Sequence, residues 1–227
     1  LARAELTGPS LSRLKPKLQE TALALWTLYL VLTILEFGLL ITIGKLDWFD
    51  SLNHALTTMP TGGFSTYDAS IGYFESYTVE LIIIFFMFIG GINFTLLWFI
   101  REGQFKKATQ DEEFKNYLVY ILTTFLFITI ALLVTRDYTT ADSFIDSLFH
   151  VVSIGTSTGY TSTDYMQWPV FTHLLLFVLM IIGACAGSTS GGLKLMRVNL
   201  AFKVAMRELI RIAQPRKVQK IRMNNQV

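Results

Sequence analysis

Cysteine and charge are both scarce in this sequence. A single cysteine excludes an internal disulfide, and the 16% share of charged residues lies well below the value of about 25% for soluble domains. The net charge of +2 provides no general basic field for nucleic acid. Nucleophile triads, phosphate-binding loops and dinucleotide fingerprints are also missing. We therefore expect neither an enzyme nor a nucleic-acid-binding protein, and no bound cofactor.

Apolar residues are abundant instead, at 52% of the 227 residues. A helix needs about 20 mostly apolar residues to cross a bilayer. Four runs have about that length, and a further apolar stretch follows the last of them: 21–43, 81–100, 117–135 and 170–186, then 193–206. Two shorter runs, 49–58 and 144–154, each precede a Gly/Thr/Ser-rich stretch, which predicts re-entrant helices. The sequence thus predicts an all-α membrane protein.

The basic residues are concentrated on one side of these runs. All of the 19 Lys and Arg residues except Lys45 and Arg136 lie before the first run, within 101–115, or from Lys194 onward. More than half of the 17 acidic residues lie in the opposite segments. Because cytoplasmic loops carry the excess of Lys and Arg, both ends of the chain are predicted to be cytoplasmic.

An internal repeat has an offset of 96 residues. The segment DSLNH at 50–54 recurs as DSLFH at 146–150, and the same offset maps Gly63 onto Gly159 and Gly91 onto Gly187. Each unit has the order spanning helix, re-entrant pore helix, loop, spanning helix. Because each unit begins and ends inside, the two are parallel repeats about an axis normal to the membrane.

The two Gly/Thr/Ser loops, 57–66 and 153–162, are the candidate functional segments. Irregular backbone at membrane depth is tolerated only inside protein or beside water, and carbonyl rings replace the hydration shell of a cation in channel filters. Gly63 and Gly159 permit the positive φ that turns carbonyls toward one side. Surface connectors are the alternative. Two loops do not enclose a pore, so either two chains pair or the chain, which starts at Leu1, is half of a four-unit protein.

Several motifs in order along the chain resemble a known family. They are AELTGP at 4–9, TGGFST at 61–66, DASIGYF at 68–74, TGYT at 158–161, GACAGSTSGGLK at 183–194 and RELIR at 207–211. This set resembles the Trk/Ktr/HKT superfamily of potassium transport proteins, and most of all its bacterial TrkH/TrkG branch. Members carry four repeats in one chain, so the motif order implies that this chain holds the second and third.

The resemblance implies a domain organisation. The ranges are a cytoplasmic segment at 1–20, a first helix-pore-helix repeat at 21–100, a cytoplasmic linker at 101–116, a second repeat with a broken last helix at 117–212, and a basic cytoplasmic tail at 213–227.

The resemblance also implies the site residues. The selectivity filter would contain Thr61, Gly62, Gly63, Phe64, Thr158, Gly159 and Tyr160, with potassium held by backbone carbonyls near Gly63 and Gly159. The gate would be an intramembrane loop of Gly183, Ala184, Cys185, Ala186, Gly187, Ser188, Thr189, Ser190, Gly191 and Gly192. Four glycines in an otherwise apolar span favour such a break beside a cavity, although a Gly-rich helix-packing face is the alternative.

The function implied is potassium translocation in a bacterial inner membrane, with potassium as the transported substrate. The resemblance further implies a homodimer and a cytosolic, RCK-type nucleotide-binding regulatory subunit (TrkA-like) that contacts 101–115 and the basic tail. The alternatives are a channel-like subunit of another cation system (a sodium/potassium transporter or a potassium pump), a secondary transporter and a non-transporting scaffold.

Individual polar residues have two interpretations each. Glu36, in the middle of a span, is either an ion site or a neutral acid in a helix contact. His54 and His150 anchor the re-entrant helices or sense pH. Lys194 and Arg197 are either anchors that extend to the membrane interface or an electrostatic barrier to cations.

Overall fold

The computed structural model describes residues 18–135 and 139–213, and it contains no strand within those ranges. Most of the predicted N-terminal segment with its AELTGP motif, and nearly all of the basic tail, lie outside the described residues. Nine α-helices make up the described fold: α1 Leu18–Thr42, α2 Trp48–Thr58, α3 Tyr77–Gly90, α4 Phe94–Arg101, α5 Phe105–Gln110, α6 Glu112–Thr135, α7 Thr140–Gly155, α8 Val170–Ile182 and α9 Leu195–Ala213. The predicted all-α membrane fold is confirmed.

Two helices in the described residues are long and apolar enough to cross a membrane by themselves. They are Ala22–Thr42 within α1 and Glu112–Thr135, which is α6. Both present large apolar side chains outward, such as Trp26 and Val134. Such exposed apolar faces suit lipid and would be unfavourable in water.

The short helices α2 and α7 follow α1 and α6, as the repeat predicts. The carboxylate of Asp47 caps α2 by accepting the amide of Asp50 at 3.2 Å, and the hydroxyl of Thr139 caps α7 by accepting the amide of Asp142 at 3.2 Å. The cap at Thr139 starts α7 four residues earlier than predicted. We call α2 and α7 the pore helices.

The predicted span 81–100 is not one helix, which corrects the sequence prediction. It divides into α3 and α4, which are bent by 102° at the break after Gly90. A Cβ on Gly91 would lie only 2.5 Å from the hydroxyl oxygen of Tyr117, and the side chain of Asn93 caps α4 by accepting the amide of Thr95 at 2.9 Å. A close approach and a new N-cap together end one helix and start another.

The second repeat is broken at the equivalent place, and the two breaks contact each other. Helix α8 ends at Ile182 and α9 begins at Leu195. The amide of Cys185 donates to the carbonyl of Gly91 at 3.1 Å, and the amide of Phe94 donates to the carbonyl of Gly187 at 3.0 Å. The loop between α8 and α9 is therefore hydrogen-bonded to the break between α3 and α4.

Candidate ion pathway

The loops after the two pore helices share one hydrogen-bond frame. The carbonyl of Thr57 accepts the amides of 62–63 at 2.8 and 3.2 Å, and the carbonyl of Ser153 accepts those of 158–159 at 2.8 and 3.2 Å. All four partners are related by the 96-residue offset. We call 57–66 and 153–162 the first and second filter loops.

Left-handed backbone alternates along both filter loops. Thr61 and Gly63 have φ of 54° and 66°, and their counterparts Ser157 and Gly159 have φ of 61° and 87°. Alternating handedness turns successive carbonyls to the same side of a strand. Only Gly tolerates such values without cost, so Thr61 and Ser157 are held there by their surroundings.

Six carbonyl oxygens are available as ligands. Within the described residues, no hydrogen-bond donor reaches the carbonyls of 61–63 or those of 157–159. Unpaired carbonyls away from water are expensive, and a partly dehydrated cation is a partner that such carbonyls can coordinate. Of the predicted filter residues, Thr61, Gly62, Gly63, Thr158 and Gly159 fall in these two sets. Ser157 was not predicted; its correspondence with Thr61 in the repeat would have identified it.

Phe64 and Tyr160 occupy a different place from the other predicted filter residues. The hydroxyl of Thr57 reaches the carbonyl of Phe64 at 2.8 Å, and the hydroxyl of Ser153 reaches that of Tyr160 at 2.7 Å. These two carbonyls therefore tie the loops to the pore helices. The side chain of Tyr160 crosses to the first repeat, where its hydroxyl lies 2.5 Å from Oγ1 of Thr57 and 3.3 Å from the carbonyl of His54.

Acidic side chains hold the outer part of each loop. The carboxylate of Asp50 accepts the hydroxyls of Thr66 at 2.7 Å and Tyr67 at 2.8 Å, and the hydrogen bond with Asp50 raises the pKa of Tyr67 to about 12. The carboxylate of Asp146 accepts the hydroxyl of Ser162 at 3.1 Å. Both acids thus brace the ends of the filter loops and add negative charge there.

The two repeated histidines are bound within their own repeats. Nδ1 of His54 lies 2.7 Å from the carbonyl of Asp50, and its Nε2 lies 3.0 Å from the hydroxyl of Ser65. Nδ1 of His150 lies 2.9 Å from the carbonyl of Asp146. These contacts favour the anchoring interpretation over pH sensing.

The loop 183–192, which we call the gate loop, lies against the part of each filter loop that follows its pore helix. The hydroxyl of Thr189 lies 2.9 Å from the carbonyl of Met59 and 3.1 Å from that of Gly90. The hydroxyl of Thr61 donates to the carbonyl of Thr189 at 3.0 Å. A Cβ on Gly191 would lie 3.4 Å from the hydroxyl of Ser157. The gate loop therefore lies against Thr61 and Ser157, the first residues of the two segments with unpaired carbonyls.

A cavity of about 570 Å³ opens on the other side of the gate loop, with Lys194 and Arg197 in its lining. The ammonium group of Lys194 donates to the carbonyl of Ser190 and lies 3.3 Å from its hydroxyl. Lys194 is therefore bound to the gate loop instead of extending to the membrane interface. This position favours the cation-barrier interpretation of Lys194.

A second site residue, besides Ser157, was missed by the sequence analysis. Glu113, at the start of α6, accepts the amide of Ala186 at 2.7 Å and that of Met196 at 3.0 Å through the same carboxylate oxygen. Glu112 and Glu113 are adjacent acids before an apolar run, and no motif distinguishes them. The 3.6-residue periodicity of the apolar face behind them was the only available signal.

Comparison with known proteins agrees with this architecture. A family model described as "TrkH: Cation transport protein" matches residues 1–135 and 118–227. The chain belongs to the TrkH family. The Trk system potassium uptake protein TrkH of Escherichia coli K12 is 39% identical over 228 residues, which cover 99% of this chain and 47% of that protein. The protein of that name from Halomonas elongata is 39% identical over 219 residues, 95% of this chain and 45% of its own length.

Two further TrkH-family relatives extend the comparison. TrkG of Escherichia coli K12 is 31% identical over 230 residues, covering 100% of this chain and 47% of TrkG. The crystal structure of the potassium transporter TrkH from Vibrio parahaemolyticus matches with a TM-score of 0.90 at 38% identity, covering 100% of this chain and 49% of that one. The chain thus spans about half the length of these TrkH-family relatives. The predicted family is confirmed, whereas the filter and gate residues stay predictions.

Proposed function

We propose that this chain forms two sides of a potassium pathway, with 61–63 and 157–159 as filter segments. The observation that carries the proposal is the repeated set of unpaired carbonyls on backbone of alternating handedness. Such carbonyls replace the hydration shell of a cation in potassium filters. The choice of potassium is supported by the relatives, which are named potassium uptake proteins.

The contact between the repeats supports a ring of such segments. The amides of 71–72 donate to the carbonyl of Thr161 at 3.1 and 3.2 Å. A Cβ on Gly63 would overlap the carbonyl oxygen of Thr158, so the two filter loops touch with no room for a side chain. The two repeats use different surfaces in this contact, as the two partners do in a head-to-tail interface.

The two outer edges present the same surfaces without a neighbour among the described residues. Gly159, the counterpart of Gly63, has no atom within 4 Å of its Cβ position in the described part of the chain. Phe64, the counterpart of the buried Tyr160, is 75% exposed. We infer that two more units of the same kind close the ring around the pathway. A four-sided pore accords with relatives of about twice the matched length.

The gate loop is proposed to obstruct this pathway from the inner side. It contacts both filter loops, and the ammonium group of Lys194 adds a positive charge to the gate loop. Glycines with positive φ at 183, 187 and 192 allow a second backbone arrangement at low cost. Opening then requires the gate loop to leave the filter.

The orientation and partners follow from charge and resemblance. The excess of Lys and Arg on one side supports a cytoplasmic position for 101–116 and for the end of α9 in a bacterial membrane. The resemblance supports a homodimer and a nucleotide-binding RCK-type subunit at that face. Nucleotide would bind that partner and not this chain.

Rescue of a potassium-uptake-deficient bacterium by the full-length protein tests the proposal. We expect growth at low potassium with the wild type and with Gly38→Ser, since Gly38 has no neighbour within 4 Å in the described structure. Gly63→Ser is expected to abolish growth because its side chain collides with Thr158. Absence of rescue by a correctly inserted wild type, or full rescue by Gly63→Ser, would contradict the proposal.

A further inference from the structure

One carboxylate links the gate loop to two helices. Glu113 is the second residue of α6, and its side chain is almost fully buried, with 6% of the residue exposed. One of its oxygens accepts an amide from the middle of the gate loop, Ala186, and an amide from the first turn of α9, Met196. The gate loop and the starts of α6 and α9 therefore meet at one oxygen atom.

Both amides depend on this carboxylate. Met196 lies in the first turn of α9, whose N–H groups have no partner within the helix, and a carboxylate near a helix N-terminus is stabilising. Ala186 lies in irregular backbone, where its N–H has no helical partner either. Removal of the carboxylate would leave two half-buried donors without their acceptor, so both the gate loop and the start of α9 would lose a hydrogen bond to a charged group.

The surroundings connect this contact to the cytoplasmic side. Glu112, the neighbour of Glu113, pairs with Lys203 of α9 at 2.6 Å. The linker before α6 lies on the face predicted to be cytoplasmic. A displacement of the linker or of α9 would therefore act directly on the carboxylate that holds Ala186.

We propose that Glu113 is a positioning residue that clasps the gate loop beneath the filter and releases it when the start of α6 and α9 separate. The proposal rests on the proposed function of the gate loop as an obstruction. It adds the point at which a cytoplasmic movement is transmitted to that loop. The clasp requires the acceptor oxygen of the Glu113 side chain more than its negative charge.

Cys185 provides a direct readout of the clasp, since it precedes Ala186 and is fully buried. In the full-length protein in proteoliposomes, reaction of Cys185 with N-ethylmaleimide is followed by peptide mass, and potassium flux is measured without any cytosolic partner. We expect Glu113→Ala to react about tenfold faster, the scale for losing a hydrogen bond to a charged group, and to conduct more. Glu113→Gln keeps the acceptor oxygen and should resemble the wild type. Glu102→Ala, an exposed acid of the same linker, is the matched control.

Each outcome decides the proposal. An unchanged rate at Cys185 in folded Glu113→Ala would overturn it, as would a Glu113→Gln protein that behaves like Glu113→Ala. Faster reaction with unchanged flux would support the clasp and contradict the obstructing role of the gate loop. If Glu113→Ala does not fold, Glu113→Asp keeps the charge but shortens the reach; its Cys185 should react faster than the wild type, and an unchanged rate would overturn the clasp.

Discussion

At the scale of single residues, the burial of Glu36 bears on whether it is an ion site or a neutral acid in a helix contact. It is fully buried in α1 and lies beside Thr58 at the end of a pore helix. The hydroxyl of Thr58 donates to the carbonyl of His54 at 2.7 Å, and the carboxyl oxygens of Glu36 have no well-aligned hydrogen bond among the described residues. An unpaired charge at this depth would be expensive. The structure therefore favours a neutral acid over an ion site.

The corresponding prediction concerns Glu36→Gln, which keeps the shape and removes the ionisable group. We expect thermal unfolding and potassium flux close to those of the wild type, because we infer that the buried native carboxyl is neutral. Glu36→Leu, which removes the polar atoms as well as the ionisable group, is the comparison variant. A flux that collapses in Glu36→Gln while the protein remains folded would restore the ion-site interpretation.

Tyr160 is the residue that joins the two repeats behind the filter. Its hydroxyl contacts Thr57 and His54 in the other repeat. Tyr160→Phe is expected to destabilise the protein by about 1 kcal/mol, the usual value of one buried hydrogen bond, and to weaken discrimination between potassium and sodium. Tyr73→Phe, on an exposed outer tyrosine, is the matched control in thermal unfolding and flux assays. Equal behaviour of the two variants would contradict this role.

At the scale of elements, the break between α3 and α4 depends on one close approach. A Cβ on Gly91 would press on the hydroxyl of Tyr117, whose ring is buried and stacked on Phe88 with centroids 5.1 Å apart. We expect Gly91→Ala to cost about 1–3 kcal/mol, as overpacking does. Gly38→Ala, in an open position of α1, should be neutral or stabilising. Thermal unfolding of both variants checks this, and an unchanged Gly91→Ala protein would contradict it.

The gate loop gives a second prediction at this scale. Deletion of the three residues 188–190 removes Thr189 and its contacts with Met59 and Gly90. We expect potassium flux without a cytosolic partner to rise, since the loop no longer reaches the filter. The deletion is compared with wild type at equal amounts of inserted protein. Unchanged or lower flux in a folded deletion variant would count against the obstructing role.

The elements also show what the sequence could predict. Apolar length and the 96-residue repeat were sufficient to predict the two pore helices and the loops that follow them, and the Gly/Ser/Thr composition of 183–192 predicted the break in the last span. They did not predict the break at Gly91, because Gly90 and Gly91 are also compatible with close packing of a continuous apolar helix. The deciding contacts come from Tyr117 and Gly187, far along the chain. Glu113 was missed for the same reason, since its partners lie in other elements.

At the scale of the whole molecule, we propose that the two repeats form half of a closed arrangement. The edge of the first repeat at Gly63 contacts the second repeat, whereas the equivalent edge at Gly159 faces open space within the described residues. If further units complete the ring, the surroundings of Gly159 in the full-length protein resemble those of Gly63. The described residues alone would predict that a substitution at Gly159 is milder than one at Gly63. At Gly159 only the φ of 87° would oppose a side chain, since no described atom lies near its Cβ position.

Potassium flux through the full-length protein carrying Gly63→Ala or Gly159→Ala tests the central claim most directly. Both proteins are reconstituted in proteoliposomes beside the wild type and Gly38→Ala, and uptake is measured with potassium and with sodium. The account predicts potassium uptake in the two controls and loss of selective potassium uptake in both filter variants. Wild-type selectivity in folded Gly63→Ala, or a normal Gly159→Ala protein beside an inactive Gly63→Ala protein, would contradict it.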